Sequence, residues 1–304
     1  MLTRIEAVAA IIERELAAFA DVAVVGISGG VDSAVVASAS VAALGKENVH
    51  LVSMPYDETD DSTFNLRSRE LASKLGAHHY VIPIASATDA AVREITDALR
   101  GVPSGQTTLH RLTHGNTRAR LRMTTLYGIA GELSFRFEEE EKHKKLDPIR
   151  GQYFSKRVRV IGTGNASEDL IGYDTKGGDA LADLFIIGDL FKSEVYQLAK
   201  HYEVPQSILE APPSAGLYPG QTDADELGHS YEDLEPALSA LHRALSRGVA
   251  DELLSPALDD FQGVDPALSA FVIARFVANA HKHRAPKVVP LRHIPFVKDI
   301  WRDR

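Results

Sequence analysis

No cysteine occurs among the 304 residues, which excludes a disulfide, a thiolate zinc site and a cysteine nucleophile. Any chemistry must run on oxygen and nitrogen groups or a hard metal ion. An excess of positive charge is missing too: 33 Lys and Arg stand against 42 Asp and Glu, a formal net charge of -9. That balance argues against broad adhesion to DNA, RNA or an anionic membrane, so nucleic-acid and membrane partners are not expected. Nor is there an apolar run of membrane-spanning length or a signal-like segment, because Gly, Ser, Asp or Lys interrupts each apolar stretch. A cytoplasmic location is the expectation. What remains is 44% hydrophobic residues, enough for a substantial core, and a length that fits one large α/β domain over 1–304.

Ile5, Val8, Ile12, Leu16 and Phe19 recur at helical spacing with charged residues between them, which predicts an amphipathic first helix. Four β-type runs follow, at residues 22–27, 49–54, 79–84 and 157–161. Helix-like patterns at 32–44 and 62–75 separate the first three. This is the rhythm of βαβ units, and it predicts a doubly wound parallel sheet with helices on both faces. Further helices are expected over 117–135, 191–201, 234–245 and 266–281. Residues 136–156, RFEEEEKHKKLDPIRGQYFSK, put charge where a short connection would suffice, and read as an exposed, partly mobile insertion, a solvated run in preference to a lid. Residues 281–304 read as a basic, solvated tail.

The stretch VAVVGISGGVDSAVVAS poses the central question, since an apolar strand breaks at Ser28-Gly29-Gly30 and resumes apolar after Asp32 and Ser33. A tight turn at the carboxyl end of a parallel strand is where open α/β sheets bind ligands. Glycines there let backbone approach an anion, and the free N–H groups and dipole of the following helix favour phosphate. Ser28 and Ser33 can donate to it. Asp32 is repulsive beside phosphate unless a cation lies between, for which Mg²⁺ is the usual choice. The loop is neither G-x-G-x-x-G nor G-x-x-x-x-G-K-[ST], so dinucleotide and Walker-type readings fail. SGGVDS resembles instead the pyrophosphate loop of the ATP pyrophosphatases, which split ATP between its α and β phosphates.

Further segments narrow the resemblance: MPYDETD, HGNTRARLRM at 114–123, IGTGNASEDLIGYDTKGGD at 161–179, GDLFKSEV at 188–195 and PPSAGLYPGQTDADELGHSYEDLE at 212–235. They occur in the order found in NAD synthetases, and the resemblance covers about residues 5–282. It implies an adenine nucleotide alpha-hydrolase-like fold and an ATP-dependent amide synthesis, in which a nicotinate carboxylate is adenylated and ammonia then displaces AMP. It also implies site residues. Ser28, Gly29, Gly30 and Ser33 would hold the departing pyrophosphate; Asp32 and Glu168 would ligate Mg²⁺; Lys192 and Ser214 would meet the phosphates. Arg120 and Arg122 would contact nucleotide, and Lys176 and Asp179 would build the acid pocket. Asp32, Lys192 and Asp179 carry the expected catalytic roles. A homodimer is implied, with ammonia free or from a separate glutaminase. His78, His79, His110 and His114 form no two-His ligand spacing and are assigned no metal.

The acid segment departs from the family pattern GYFTKYGDGGxD. Asp174 and Gly177 stand where that pattern has aromatics, and Ala180-Leu181 replace a glycine pair. Aromatic stacking contributes roughly 0.5–1.5 kcal/mol beyond area burial, so pyridine binding loses a contact there. Three alternatives therefore stay open: amidation of another carboxylate, such as nicotinic acid mononucleotide or a specialised metabolite; a tRNA-modifying ATP pyrophosphatase; and a non-catalytic nucleotide-binding protein.

Overall fold

Strands that are apolar on both faces must be covered on both faces, and the chain builds its layers accordingly. The computed structural model describes residues 5–56, 62–102, 108–142, 156–214, 222–246 and 259–283. In chain order these form α1 (Ile5–Phe19), β1 (Val22–Gly26), α2 (Val31–Leu44), β2 (Val49–Ser53), α3 (Ser62–Leu75), β3 (His78–Val81), α4 (Ala85–Ala98), α5 (Arg111–Lys142) and β4 (Val158–Gly162). There follow α6 (Ala166–Leu170), β5 (Leu184–Phe185), α7 (Lys192–His201), α8 (Gln206–Leu209), α9 (Asp223–Leu227), α10 (Tyr231–Ser246) and α11 (Pro266–His283).

The five strands are parallel in the order β3-β2-β1-β4-β5. Period-2 alternation along β1 divides its side chains between two cores. Ala23 and Val25 join residues of α1, α2 and α7; Val22 and Val24 join Met123, Leu126 and Ala130 of α5. A third cluster contains no strand residue and binds α6, α10 and α11 together through Ile171, Leu234, Leu238, Val272 and Phe276. The doubly wound α/β expectation holds. Strand order reverses about β1, so the loops after β1 and β4 face one crevice at the sheet's carboxyl edge.

Five elements are absent from the sequence reading: α4, α6, β5, α8 and α9. Four of them are two to five residues long, too short to show a period, and α4 carries mostly Ala and Thr on its inner side, with Thr88 its buried residue. One expectation is corrected: α5 runs seven residues past 135, so the first third of the charged segment is helix. Its acidic run Glu138–Glu141 consists of good helix formers, and the Arg136–Glu132 pair at 2.8 Å supports the turn before it. Residues 143–155 of that segment lie outside the described residues. Of the basic tail, 281–283 complete α11 and the remainder lies outside the described residues.

One strand in from the sheet edge, a histidine titration has a consequence for stability. His50 on β2 is buried, stacks on His78 at 4.7 Å and sets Nδ1 3.0 Å from the Tyr80 hydroxyl. Burial first, then the positive charge of His78 and Lys156, lowers its pKa to about 4. The ring is neutral in the fold while the unfolded chain takes up a proton near pH 6.5, so this stability is complete above 6.5 and is lost as pH falls toward 4. Between about pH 7.5 and about pH 5 the loss is about 2 kcal/mol. Urea unfolding of the wild type and His50→Phe at both pH values should show a smaller acid loss in the variant; an unchanged difference between the two proteins would refute this.

Candidate active site

The turn after β1 holds its shape by its own hydroxyls. Ser33 Oγ accepts from the Ser28 N–H at 3.2 Å and donates to the Gly30 carbonyl at 3.0 Å, while Ser28 Oγ accepts from the Gly30 N–H at 3.2 Å. Gly29 sits at φ +80°, a left-handed conformation that a side chain disfavours. Gly30 is the N-cap of α2 and no side chain caps it, which leaves the first N–H groups and the helix dipole facing the crevice. The Asp32 carboxylate points instead to partners from distant parts of the chain.

Asp32 accepts from Asn165 Nδ2 at 2.8 Å and from Lys192 Nζ at 2.7 Å. Lys192 Nζ also donates to Glu168 Oε1 at 2.9 Å, so one ammonium bridges the two carboxylates singled out as metal ligands. Each residue arrives from a different element: Asp32 from the first turn of α2 after β1, Glu168 from α6 after β4, and Lys192 from the first residue of α7. Asn165 orders two of them, since its Oδ1 caps α6 at the Glu168 N–H while its amide meets Asp32. Lys192 is 4% exposed, so its ammonium is held by these carboxylates and not by bulk water. Burial, against the pull of Lys192 and with the push of Asp32, raises Glu168 to about 7. Burial opposes the Lys192 ammonium as well, but Asp32 and Glu168 outweigh it and keep the lysine charged.

The crevice opens into a cleft of about 1070 Å³ whose walls include Tyr56, Arg118, Arg122, Glu168, Asp179 and Ser214. Arg122 donates to the Met54 carbonyl at 3.3 Å, pinning α5 to the end of β2. Arg120 points elsewhere, donating to the Lys176 carbonyl at 3.1 Å, and Lys176 in turn reaches the His281 carbonyl. These two tie the acid segment to α5 and α11 and do not line the cleft. Arg118 does, with its guanidinium carbon 3.3 Å from the centre of the Tyr56 ring; sequence reading passed over both residues. Their signal was available, because positions 118 and 122 share a helix face that 120 does not.

The acid segment folds close against α11. Gly172 has φ +61°, and a Cβ there would lie 2.2 Å from Asn279 Cβ, so only glycine permits the approach. Asp179 Oδ1 accepts from the Thr175 N–H at 2.9 Å, and Thr175 Oγ1 donates to Asn116 at 2.7 Å. Asp174, at one of the substituted aromatic positions, faces Lys282 at 3.5 Å, and Lys282 also donates to the Gly172 and Asp174 carbonyls at 2.6 and 2.8 Å. No helix among the described residues is long and apolar enough to cross a membrane.

Comparison with known proteins bears on this geometry. The NAD synthase family model matches residues 4–135 and 152–286, leaving out the greater part of the charged segment. An NH(3)-dependent NAD(+) synthetase of Methanococcoides burtonii is 38% identical over 272 residues, 88% of this chain and 87% of the relative. Among solved structures, NMN synthetase from Francisella tularensis superposes with a TM-score of 0.69 at 27% identity, covering 94% of this chain and 98% of the other. NH3-dependent NAD synthetase from Campylobacter jejuni superposes with a TM-score of 0.63 at 28% identity, covering 94% and 97%. A parallel sheet with an SGG turn at its switch point, joined to a family match along nearly the whole length, leaves one conclusion: the chain belongs to the NAD synthase family.

Proposed function

We propose that this protein is an ammonia-dependent NAD synthetase, a ligase that forms a C–N bond. The observation that carries the reading is Lys192 bridging Asp32 and Glu168 beside the uncapped start of α2. A carboxylate oxygen of nicotinic acid adenine dinucleotide attacks the α-phosphorus of ATP, the bond to the β-phosphate oxygen breaks, and pyrophosphate leaves. Ammonia then attacks the acyl carbon, AMP departs with the electron pair of the broken C–O bond, and the nitrogen loses one proton to solvent to leave the amide. The turn at Ser28, Gly29, Gly30 and Ser33 supplies preorganised donors for the leaving pyrophosphate, and Lys192 and Ser214 flank it. Arg122, with Arg118, borders the space for nucleotide; Asp179 stands at the acid side.

Asp32 and Glu168 fit Mg²⁺, since both are hard oxygen donors already directed at one cationic point. Among the described residues no group of three His, Asp or Glu is placed to hold a metal, which suits an ion that completes its shell with phosphate oxygens and water. When bound, Mg²⁺ offsets charge developing on the phosphates. A homodimer, and ammonia delivered free or by a separate glutaminase, complete the proposal.

A second reading is amidation of nicotinic acid mononucleotide. It is favoured by the Asp174–Lys282 pair, which sets a charged wall where the family pattern has an aromatic ring, and by the likeness to NMN synthetase. Pyrophosphate and AMP release with ATP, Mg²⁺, ammonium and each acid separates the two. NAD formation from the dinucleotide is expected; preference for the mononucleotide moves the assignment to the second reading, and consumption of neither overturns both.

A further inference from the structure

Below the two carboxylates lies a recess of about 100 Å³ whose walls include Asp32, Glu168, Tyr173, Lys192, Tyr196 and Asp223. Asp223, on α9, takes no part in the reaction as derived above. Its side chain is buried, with the residue only 3% exposed. Oδ2 accepts from the Tyr231 hydroxyl at 3.2 Å, whereas Oδ1 makes no hydrogen bond within the protein. A buried carboxylate oxygen without a donor is costly, and one retained beside a reacting centre points to a ligand that supplies the donor. Tyr173 stands next to it, its hydroxyl 2.5 Å from Glu226 Oε2 with the Asp223 carboxylate as a second acceptor within reach, so its single proton does not satisfy both acids.

Charge decides what kind of ligand fits. Four carboxylates border the recess (Asp32, Glu168, Asp179 and Asp223) against two cations, Arg67 and Lys192, so a small cation is favoured over an anion. Chemistry then separates one cation from another. Mg²⁺, which keeps several waters and phosphate oxygens in its shell, is already provided for by Asp32 and Glu168, and Asp223 is left for a second cation. An ammonium ion donates directional hydrogen bonds and is attracted to aromatic faces. The recess already accommodates a nitrogen of that type, since Lys192 Nζ lies 2.7 and 2.9 Å from two carboxylates and 5.2 Å from the Tyr231 ring. The space is of the order of a few water volumes, and ammonium is about the size of one water molecule.

We infer that Asp223 Oδ1, walled by Tyr173 and Tyr196, is the subsite that captures the ammonium ion used as nitrogen substrate. This rests on the ammonia-dependent reading above. The full-length chain with saturating ATP, Mg²⁺ and acid is assayed against ammonium chloride. Asp223→Asn keeps the shape of the side chain and removes its charge, and it should raise the KM for ammonium about tenfold or more while the KM for ATP moves by less than about twofold. An unchanged ammonium KM overturns the assignment, and so does an ATP KM that rises in step, because the carboxylate then serves the phosphate and metal side. If that variant does not fold, the wild type gives the answer: potassium chloride should compete with ammonium while lithium chloride does not, and non-competitive inhibition by both overturns the subsite. No acid-dependent pyrophosphate release from the wild type would instead show that the amide-synthetase reading itself has failed.

Discussion

Asp32→Ala lowers turnover by about a hundredfold or more at saturating ATP, the scale on which loss of a charge-stabilising element acts. The substitution removes the acceptor that meets Asn165 at 2.8 Å and Lys192 at 2.7 Å, and with it one of the two oxygens directed at the cation position. The fold should survive. Asp32 lies in the first turn of α2, whose inner face is held by Val35, Val36 and Ala39, each fully buried. Asp32→Asn keeps the shape and discards the charge, so it should be nearly as impaired as the alanine variant. Steady-state pyrophosphate release measures both, and near-normal turnover in either would sink the role given to this carboxylate.

Lys192→Met carries the second large effect, about a hundredfold to a thousandfold loss in turnover, because the ammonium is the one side-chain cation held between the two carboxylates. Removing it also leaves Asp32 and Glu168 facing each other without a counter-charge. Breaking a buried pair by deleting one partner costs about 3 kcal/mol or more, and the Asp32 and Glu168 side chains, 17% and 20% exposed, place the expected loss at the lower end. Protonation of Glu168, whose carboxyl burial already pushes up to about 7, relieves the repulsion, so the stability deficit should shrink as pH falls through the weakly acidic range. Melting curves at neutral and acid pH read the stability effect; kinetics well below the melting temperature read the catalytic one. A variant that raises only the KM for ATP, with kcat intact, would show that the lysine serves ground-state binding alone.

Much of the site was legible because its chemistry is local. A glycine turn between a buried strand and a helix, followed at once by Asp32 and Ser33, is a contiguous signal that depends on backbone conformation within a few residues. The first four strands were legible for the same reason, and runs such as VAVV admit only burial on both faces. Asn165 was within reach as a helix cap in GTGNASE, yet nothing in the sequence tells that the amide left over would orient Asp32. Arg120 was read as a nucleotide contact from its place in a motif; the helical period sends it to the Lys176 carbonyl and gives Arg118 and Arg122 the cleft. Asp223, one of three acids in TDADEL, gave no signal of its own, because its meaning lies in the hydrogen bond that one of its oxygens lacks.

The sequence by itself determined the layered α/β plan and the anion-binding turn, since apolar periodicity and glycine placement act over neighbouring residues. Only the tertiary structure decided which charges meet. Asp32, Glu168 and Lys192 converge because β1 and β4 pair side by side and α7 packs on α2, a consequence of strand order that no local spacing contains. Electrostatic interaction depends on distance and burial in space, and both are fixed when the sheet closes around its switch point.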